Sequence, residues 1–181
     1  MFRSRSGKTV AGRLLIGALV LLIPAIAGCE AGFNAPTLEF HQASSGAHVA
    51  VNEITVTNLF VLGAPAGTTL PAGSSASVFL SLFNGGTSND ALVSVTASGA
   101  AKSVHLSGGT VAIPPNSPVN LTGPRPTVVL KGLTKPLSAG ADIPVTLNFQ
   151  HAGSVTIQVP VQPQSFYYST YSAPPSATPA P

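Results

Sequence analysis

The segment IPVTLNFQHAGSVTIQVPV, residues 143–161, determines the fold class of this chain. In its second half apolar and polar residues alternate, which is the pattern of a β-strand with one buried face. The apolar face of that strand consists of Val155, Ile157, Val159 and Val161. The link Gln150–Gly153 has the length of a β-hairpin loop. The segment therefore predicts two strands that pair as a hairpin, the first of them beginning at Ile143.

Short β-like runs separated by turn residues continue from this hairpin back to Val49. The run 77–83 has apolar residues on both of its faces, as expected of a central strand that is covered on both sides. The run 119–122 lies between prolines, which places it at the edge of a sheet. The other β-like runs are residues 49–62, 91–97, 102–106, 110–113 and 127–131. No stretch between 49 and 161 has a helical period, so we predict an all-β, immunoglobulin-like antiparallel β-sandwich.

The N-terminus carries a basic head followed by the apolar run LLIGALVLLIPAIAGC, residues 14–29. This is the pattern of a secretory signal, and the run is shorter than the roughly 20 residues that a spanning helix needs. The run ends in Ile26, Ala27, Gly28 and Cys29. This tetrapeptide resembles a bacterial lipobox, in which the cysteine sulfur receives a diacylglyceryl group and cleavage falls before it. We therefore predict a lipoprotein signal peptide over 1–28, with an ordinary signal peptide and an incidental cysteine as the alternative.

The positive charge of the whole chain does not indicate a nucleic-acid partner. The formal net charge is +3 at pH 7, but four of the eight basic residues lie in the leader. After cleavage, four basic and five acidic side chains remain, so the mature chain carries a net charge of −1. It has no basic patch that could neutralise several phosphates, which argues against nucleic-acid binding.

The mature chain is one domain with a tail at each end. Cys29 is the only cysteine, so the fold contains no disulfide although its compartment would permit one. Residues 29–48 are predicted to be the lipidated cysteine and a tether, which would average roughly 25 Å in length if disordered. Residues 163–181 are rich in Pro, Ser and Tyr and predict a mostly disordered tail. The alternative is that its aromatic residues pack on the sandwich or contact envelope polymer; these are Phe166, Tyr167, Tyr168 and Tyr171.

Residues 130–161, LKGLTKPLSAGADIPVTLNFQHAGSVTIQVPV, resemble the C-terminal half of the PCu(A)C family of periplasmic copper chaperones. In that family a G-L-x-x-P-L segment precedes a turn, two strands and a closing V-P-V. The order of the upstream runs also fits, so the resemblance covers residues 49–162 and implies a cupredoxin-like β-sandwich there. The chain is also similar to actinobacterial lipoproteins that carry this domain behind a lipobox.

The resemblance implies where a copper site would lie. Members of the PCu(A)C family hold Cu(I) with histidine and methionine, which suit that ion. His105 stands at the first family histidine, whereas Thr127 and Val129 occupy the positions of the second histidine and its methionine. The intervening stretch is shorter here and contains no methionine. With one of four expected ligands present, we expect the fold without the copper site and no bound cofactor, and His105 is the only candidate metal ligand that the resemblance offers.

Other chemistry has little support in the sequence. A composite site for Cu(II) or Zn(II) would require His48 or His151 to lie beside His105, while His41 falls in the tether. The chain has no G-x-S-x-G elbow, and its carboxylates are isolated along the sequence, so neither nucleophilic nor paired-carboxylate catalysis is indicated. We expect a protein that is not an enzyme.

These observations favour a lipoprotein held by its lipid at the outer, extracytoplasmic face of the cell membrane. Its sandwich would act as a non-catalytic binding or structural module, with an envelope protein or polymer as partner. The main alternative is an extracytoplasmic copper chaperone or metal-delivery protein with altered ligands, of which His105 would be the first. A third hypothesis is an accessory subunit of a membrane complex such as an oxidase.

Overall fold

The computed structural model describes residues 46–123 and 125–171, and the regular structure in these ranges is β apart from a 3₁₀ turn at Phe166–Tyr168. The strands are β1 (Ala47–Val51), β2 (Ile54–Leu62), β3 (Thr69–Leu70), β4 (Ala76–Asn84), β5 (Asp90–Thr96), β6 (Ala101–Leu106), β7 (Val111–Ile113), β8 (Pro118–Leu121), β9 (Val128–Leu133), β10 (Leu137–Ser138), β11 (Asp142–Phe149) and β12 (Ser154–Gln162). The predicted signal, Cys29 and His41 lie outside the described residues. No helix within those residues is long and apolar enough to cross a membrane.

Ten of the strands form one curled sheet, and β3 and β10 form a separate two-stranded sheet. The order in the large sheet is β6-β9-β4-β2-β12-β11-β5-β7, with β1 added to β2 and β8 added to β4. The neighbouring strands pair antiparallel except β2 and β12, which are parallel at Val61↔Val161 and Leu62↔Gln162. The sheet has two sections, β6-β9-β4-β2 with β1 and β8, and β12-β11-β5-β7. Residues from both sections share one core cluster. The predicted all-β sandwich is therefore confirmed, and the parallel contact is the departure from the antiparallel pattern.

The hairpin predicted over 143–161 is present as β11 and β12. These strands pair antiparallel from Asp142↔Pro160 to Asn148↔Ser154. Along β12 the side chains of Val159 and Val161 are buried, and the alternating residues Thr156 and Gln158 are exposed. The alternation of the sequence thus places the apolar face of β12 on the core.

Strand β4 is the central strand that the run 77–83 predicts. It pairs with β2 along one side and with β8 and β9 along the other. Val78, Leu80 and Leu82 lie in the main core, while Phe79 is buried on the opposite, outer face. The prediction that β8 is an edge strand also holds, because its ladder is with β4 alone among the described strands.

The β-like run 49–62 is not one strand but two, because the chain turns at Asn52 and Glu53. A bulge then interrupts β2, where Asn58 and Leu59 together stand opposite a single residue of β4. Asn58 has φ +52°, a left-handed conformation that asparagine tolerates better than most residues. The extra residue shifts the alternation, so Leu59 faces the main core and Phe60 faces the outer side of the sheet.

After β12 the chain folds back over this outer face as a segment that we call the C-terminal strap, residues 163–171. The ring of Tyr168 lies 4.8 Å from that of Phe60, and the ring of Tyr171 lies 4.8 Å from that of Phe79. Of the two interpretations of the tail, packing on the sandwich therefore applies to Tyr168 and Tyr171. Aromatic contacts of this kind add about 0.5–1.5 kcal/mol each beyond the burial of area, which offsets the entropy lost on ordering. Residues 172–181 lie outside the described residues.

The strap offers a matched pair of double substitutions. Changing both Tyr168→Ala and Tyr171→Ala uncovers Phe60 and Phe79, and we expect the free energy of unfolding to fall by about 2–3 kcal/mol. Changing the exposed pair at 166 and 167 to alanine removes as many rings but should alter stability by less than about 0.5 kcal/mol. Urea unfolding of the wild type and the two double variants measures both changes in the free energy of unfolding. Equal losses from the two double variants would show that the strap does not cover the sheet.

Candidate functional site

The positions that the PCu(A)C resemblance assigns to metal ligands lie close together at one end of the β6–β9 pair. His105 is exposed on β6 and stands directly opposite Val129 in the register. The ladder extends one step further, because the backbone N–H of Ser107 donates to the carbonyl of Thr127 at 2.8 Å. Thr127 itself is a bend residue just before β9, so it lies next to the His105–Val129 pair in the chain and not on the strand.

The donor set at this face does not fit a Cu(I) centre. Side chains directly opposite in an antiparallel pair have Cβ atoms about 5 Å apart, so the spacing would suit ligands of one ion. The groups present, however, are one imidazole, one hydroxyl and one aliphatic side chain, and Cu(I) prefers thioether, thiolate and imidazole. Val129 is moreover only 8% exposed and belongs to the packed sheet. The spacing would suit ligands of one ion, but the side chains present are a poor donor set for Cu(I).

The composite histidine site is not formed. His48 lies on β1, which is four strand spacings from β6 along the sheet, about 19 Å at the usual separation. His151 lies in the β11–β12 hairpin beside Asp90, at the end of the sheet where β4 finishes. His105 is level with the start of β4. Within the described ranges, no three His, Cys, Asp or Glu side chains are grouped as metal ligands.

A cleft of about 410 Å³ lies at the end of the sheet where β4 finishes. Three connections line it: the β1–β2 turn, the loop 84–90 between β4 and β5, and the β11–β12 hairpin. Glu53 and His151 are exposed at the cleft, whereas Asn84 and Asp90 are buried in its wall. The loop that the sequence presents as a strong turn therefore forms one side of the cleft.

Asn84 holds the loop 84–90 in shape. Its Nδ2 donates to the carbonyls of Ser88 at 2.8 Å and Ile113 at 3.0 Å, and its Oδ1 accepts from the N–H of Gly86 at 2.9 Å. Because the side chain is 2% exposed, its hydrogen bonds are needed to offset the cost of burying the amide.

Asp90 ties the same loop to the hairpin. Its Oδ1 accepts from the N–H groups of Ala91 at 2.7 Å and His151 at 3.0 Å, and its Oδ2 accepts from the N–H of Ala152 at 2.9 Å. Burial by itself raises the pKa of this carboxyl, but the three donors and the nearby charge of His151 outweigh it. The pKa of Asp90 therefore lies below its usual 3.8. Asp90 is engaged as a hydrogen-bond acceptor and is not poised as a general base.

The family of the chain follows from its sequence over the sandwich. The profile of a family described as "Putative lipoprotein LpqE-like" matches residues 54–161, more than half of the chain. The chain belongs to the LpqE-like family. Comparison with curated proteins gives no match.

Solved structures of PCuAC domains have the same fold. The copper-bound PCuAC domain from PmoF2 is 26% identical with a TM-score of 0.54, covering 65% of this chain and 98% of that domain. The apo PCuAC domain from PmoF1 is 24% identical with a TM-score of 0.55, covering 65% and 99% respectively. The resemblance to the PCu(A)C family is thus confirmed, together with the cupredoxin-like fold that it implies.

One motif of that resemblance has a visible physical cause. Gly132 begins the G-L-x-x-P-L segment and has φ +65°, and a Cβ there would lie 3.1 Å from Cδ of Lys102. Both the backbone conformation and the neighbouring side chain therefore favour glycine at this position. By contrast, the sequence marked Asp90 only as an isolated acid, because two of its three partners lie about sixty residues away in the chain.

The role of Asp90 can be tested by removing its charge. We expect Asp90→Asn to lower the free energy of unfolding by about 1–3 kcal/mol at pH 7, because charge-assisted hydrogen bonds are lost. A group with a lowered folded pKa stabilises the fold above its unfolded pKa, and that contribution disappears as the pH falls through the folded value. The difference from wild type should therefore shrink below pH 3.8.

Urea unfolding between pH 2 and pH 7, a range set to span the carboxyl titration, measures this difference. The control is Asp142→Asn, which removes an exposed carboxylate from β11. Should the two variants show the same pH dependence, Asp90 would not hold the loop to the hairpin.

Proposed function

We propose that this chain is an extracytoplasmic lipoprotein, anchored in the cell membrane through a lipid on Cys29. The PCuAC-like sandwich would stand at the outer face of the membrane as a non-catalytic binding or structural module. Its partner would be another envelope protein or an envelope polymer. The proposal combines an anchor that the sequence predicts with a domain whose fold is known.

The anchor is supported by the agreement of two features. The sequence ends its apolar leader with Ile26-Ala27-Gly28-Cys29, and the family that matches residues 54–161 is described as a putative lipoprotein. Membrane binding by a single acyl chain is marginal, whereas two or more chains hold a protein firmly. A diacylglyceryl group on Cys29 would therefore anchor the chain.

The role as a binding module is supported by comparing this chain with the PCuAC domains. The chain keeps the sandwich of the PCuAC domains but has Thr127 and Val129 where the resemblance places metal ligands. It also has an open cleft where β4 finishes, at the opposite end of that strand from His105, and Glu53 and His151 line this cleft. Such a cleft offers hydrogen-bonding groups to a polar partner.

Metabolic labelling with palmitate tests the anchor. We expect label in the wild-type chain and none in Cys29→Ala, because Cys29 is the only thiol. His48→Ala, which changes an exposed residue of β1, serves as the control and should be labelled like wild type. Label that persists in Cys29→Ala, or a wild-type chain recovered unlabelled from the soluble fraction, would refute the anchor.

A second candidate is copper delivery with altered ligands. It is favoured by the copper-bound PmoF2 domain, which is 26% identical to this chain. It is also favoured by His105, whose side chain is exposed at the position of the first family histidine. A single imidazole nevertheless supplies too few donors for tight Cu(I) coordination, so copper delivery ranks second.

Titration of the mature protein with Cu(I) against a competing chelator separates the two candidates. We expect no submicromolar binding, and the same weak binding in wild type, His105→Ala and the control His48→Ala. Submicromolar binding that His105→Ala abolishes and His48→Ala preserves would instead establish the metal-delivery function.

A further inference from the structure

The turn at the tip of the C-terminal strap carries two adjacent aromatic side chains that contact solvent rather than protein. Phe166 is 89% exposed and Tyr167 is 91% exposed, while Tyr168 beside them packs on Phe60. Large apolar side chains are rarely left so open in pairs, and such exposure indicates an interaction surface. We call these two residues the aromatic tip.

The aromatic tip is held in place and is not a loose end. The N–H groups of Tyr168 and Ser169 donate to the carbonyls of Ser165 and Phe166, and the Ser169 hydroxyl donates to the Phe166 carbonyl at 2.7 Å. Phe166 has φ +51°, a conformation that bulky residues seldom adopt. The turn therefore keeps both rings outside the sheet although its backbone is strained.

The aromatic tip lies at the corner of the domain where the N-terminal chain enters. Tyr168 contacts Phe60 on β2. Leu59, the residue before Phe60, pairs with Ala47 at the start of β1. Gly46 lies so close to the backbone of Asn58 that an added Cβ would be 2.6 Å from its carbonyl carbon. The chain from Cys29 thus reaches the domain beside the strap.

The covalent chain keeps this corner near the site of lipidation. Gly46 comes seventeen residues after Cys29, and a chain of that length spans at most about 58 Å. If Cys29 carries lipid, as proposed above, the corner with the aromatic tip is the part of the domain that the anchor constrains most. The inference that follows rests on that anchor.

We propose that the aromatic tip, Phe166 and Tyr167, docks into the headgroup region of the membrane that holds the lipid anchor. Aromatic side chains are enriched at membrane–water interfaces, because their rings are apolar and the tyrosine hydroxyl reaches water. The mature chain has a net charge of −1, so general electrostatic attraction to anionic lipid contributes little. The contact fixes the orientation of the domain on the membrane; the cleft lies at the start of β2, beside Ile54, and Gly46 lies against Asn58 further along that strand.

The chain contains no tryptophan, so a single introduced tryptophan is an unambiguous fluorescent reporter. The test uses the full lipidated chain with Tyr167→Trp, reconstituted in phosphatidylethanolamine–phosphatidylglycerol vesicles with and without brominated acyl chains. The matched control is Val93→Trp, which places the reporter at a surface position of β5 that is 37% exposed. Urea unfolding verifies that both variants keep the wild-type midpoint.

We expect brominated lipid to quench most of the Tyr167→Trp emission, which should also shift to shorter wavelength, and to leave Val93→Trp emission unchanged. If the protein sediments with the vesicles but neither reporter is quenched, the docking is overturned and the anchor stands. An aromatic tip that binds a protein instead of the membrane would give this result. Equal quenching of both would overturn the fixed orientation. A chain that does not sediment and carries no palmitate would overturn the anchor, and the inference with it.

Discussion

The structure depends on a short parallel contact between the ends of β2 and β12. Val61 and Val161 pair there, and the N–H of Gly63 donates to the carbonyl of Gln162 at 2.8 Å. Because this contact joins the two sections of the sheet, it allows residues from both sections to share one core. It also directs the end of β12 to the outer side of β2, where the C-terminal strap begins.

The sequence predicts the parts of this arrangement that depend on local alternation. The β11–β12 hairpin, the central position of β4 and the edge position of β8 follow from apolar periodicity and from the placement of proline. The bulge at Asn58 could not be read in the same way, because a single extra residue reverses the faces of β2 without changing its composition. For this reason the sequence left open whether Tyr168 and Tyr171 pack on the outer face.

The candidate site likewise has one part that the sequence could predict and one part that it could not. The resemblance located His105, Thr127 and Val129 as related positions, and the register of β6 and β9 places His105 directly opposite Val129. The hydrogen bonds of Asp90 were not visible, since its partners at His151 and Ala152 are distant in the chain and are backbone groups with no side-chain signature. The fold is held by hydrophobic packing and by such backbone ties.

Amide hydrogen exchange of the full mature chain tests the closing contact most directly. If the β2–β12 pairing holds the sheet together, the amide of Gly63, which donates to the carbonyl of Gln162 across this contact, should exchange only through global unfolding, as slowly as that of Leu147 in the centre of the β12-β11-β5-β7 section. Rapid exchange at Gly63 while Leu147 remains protected would contradict the account, because the two sections would then be stable without the contact between them.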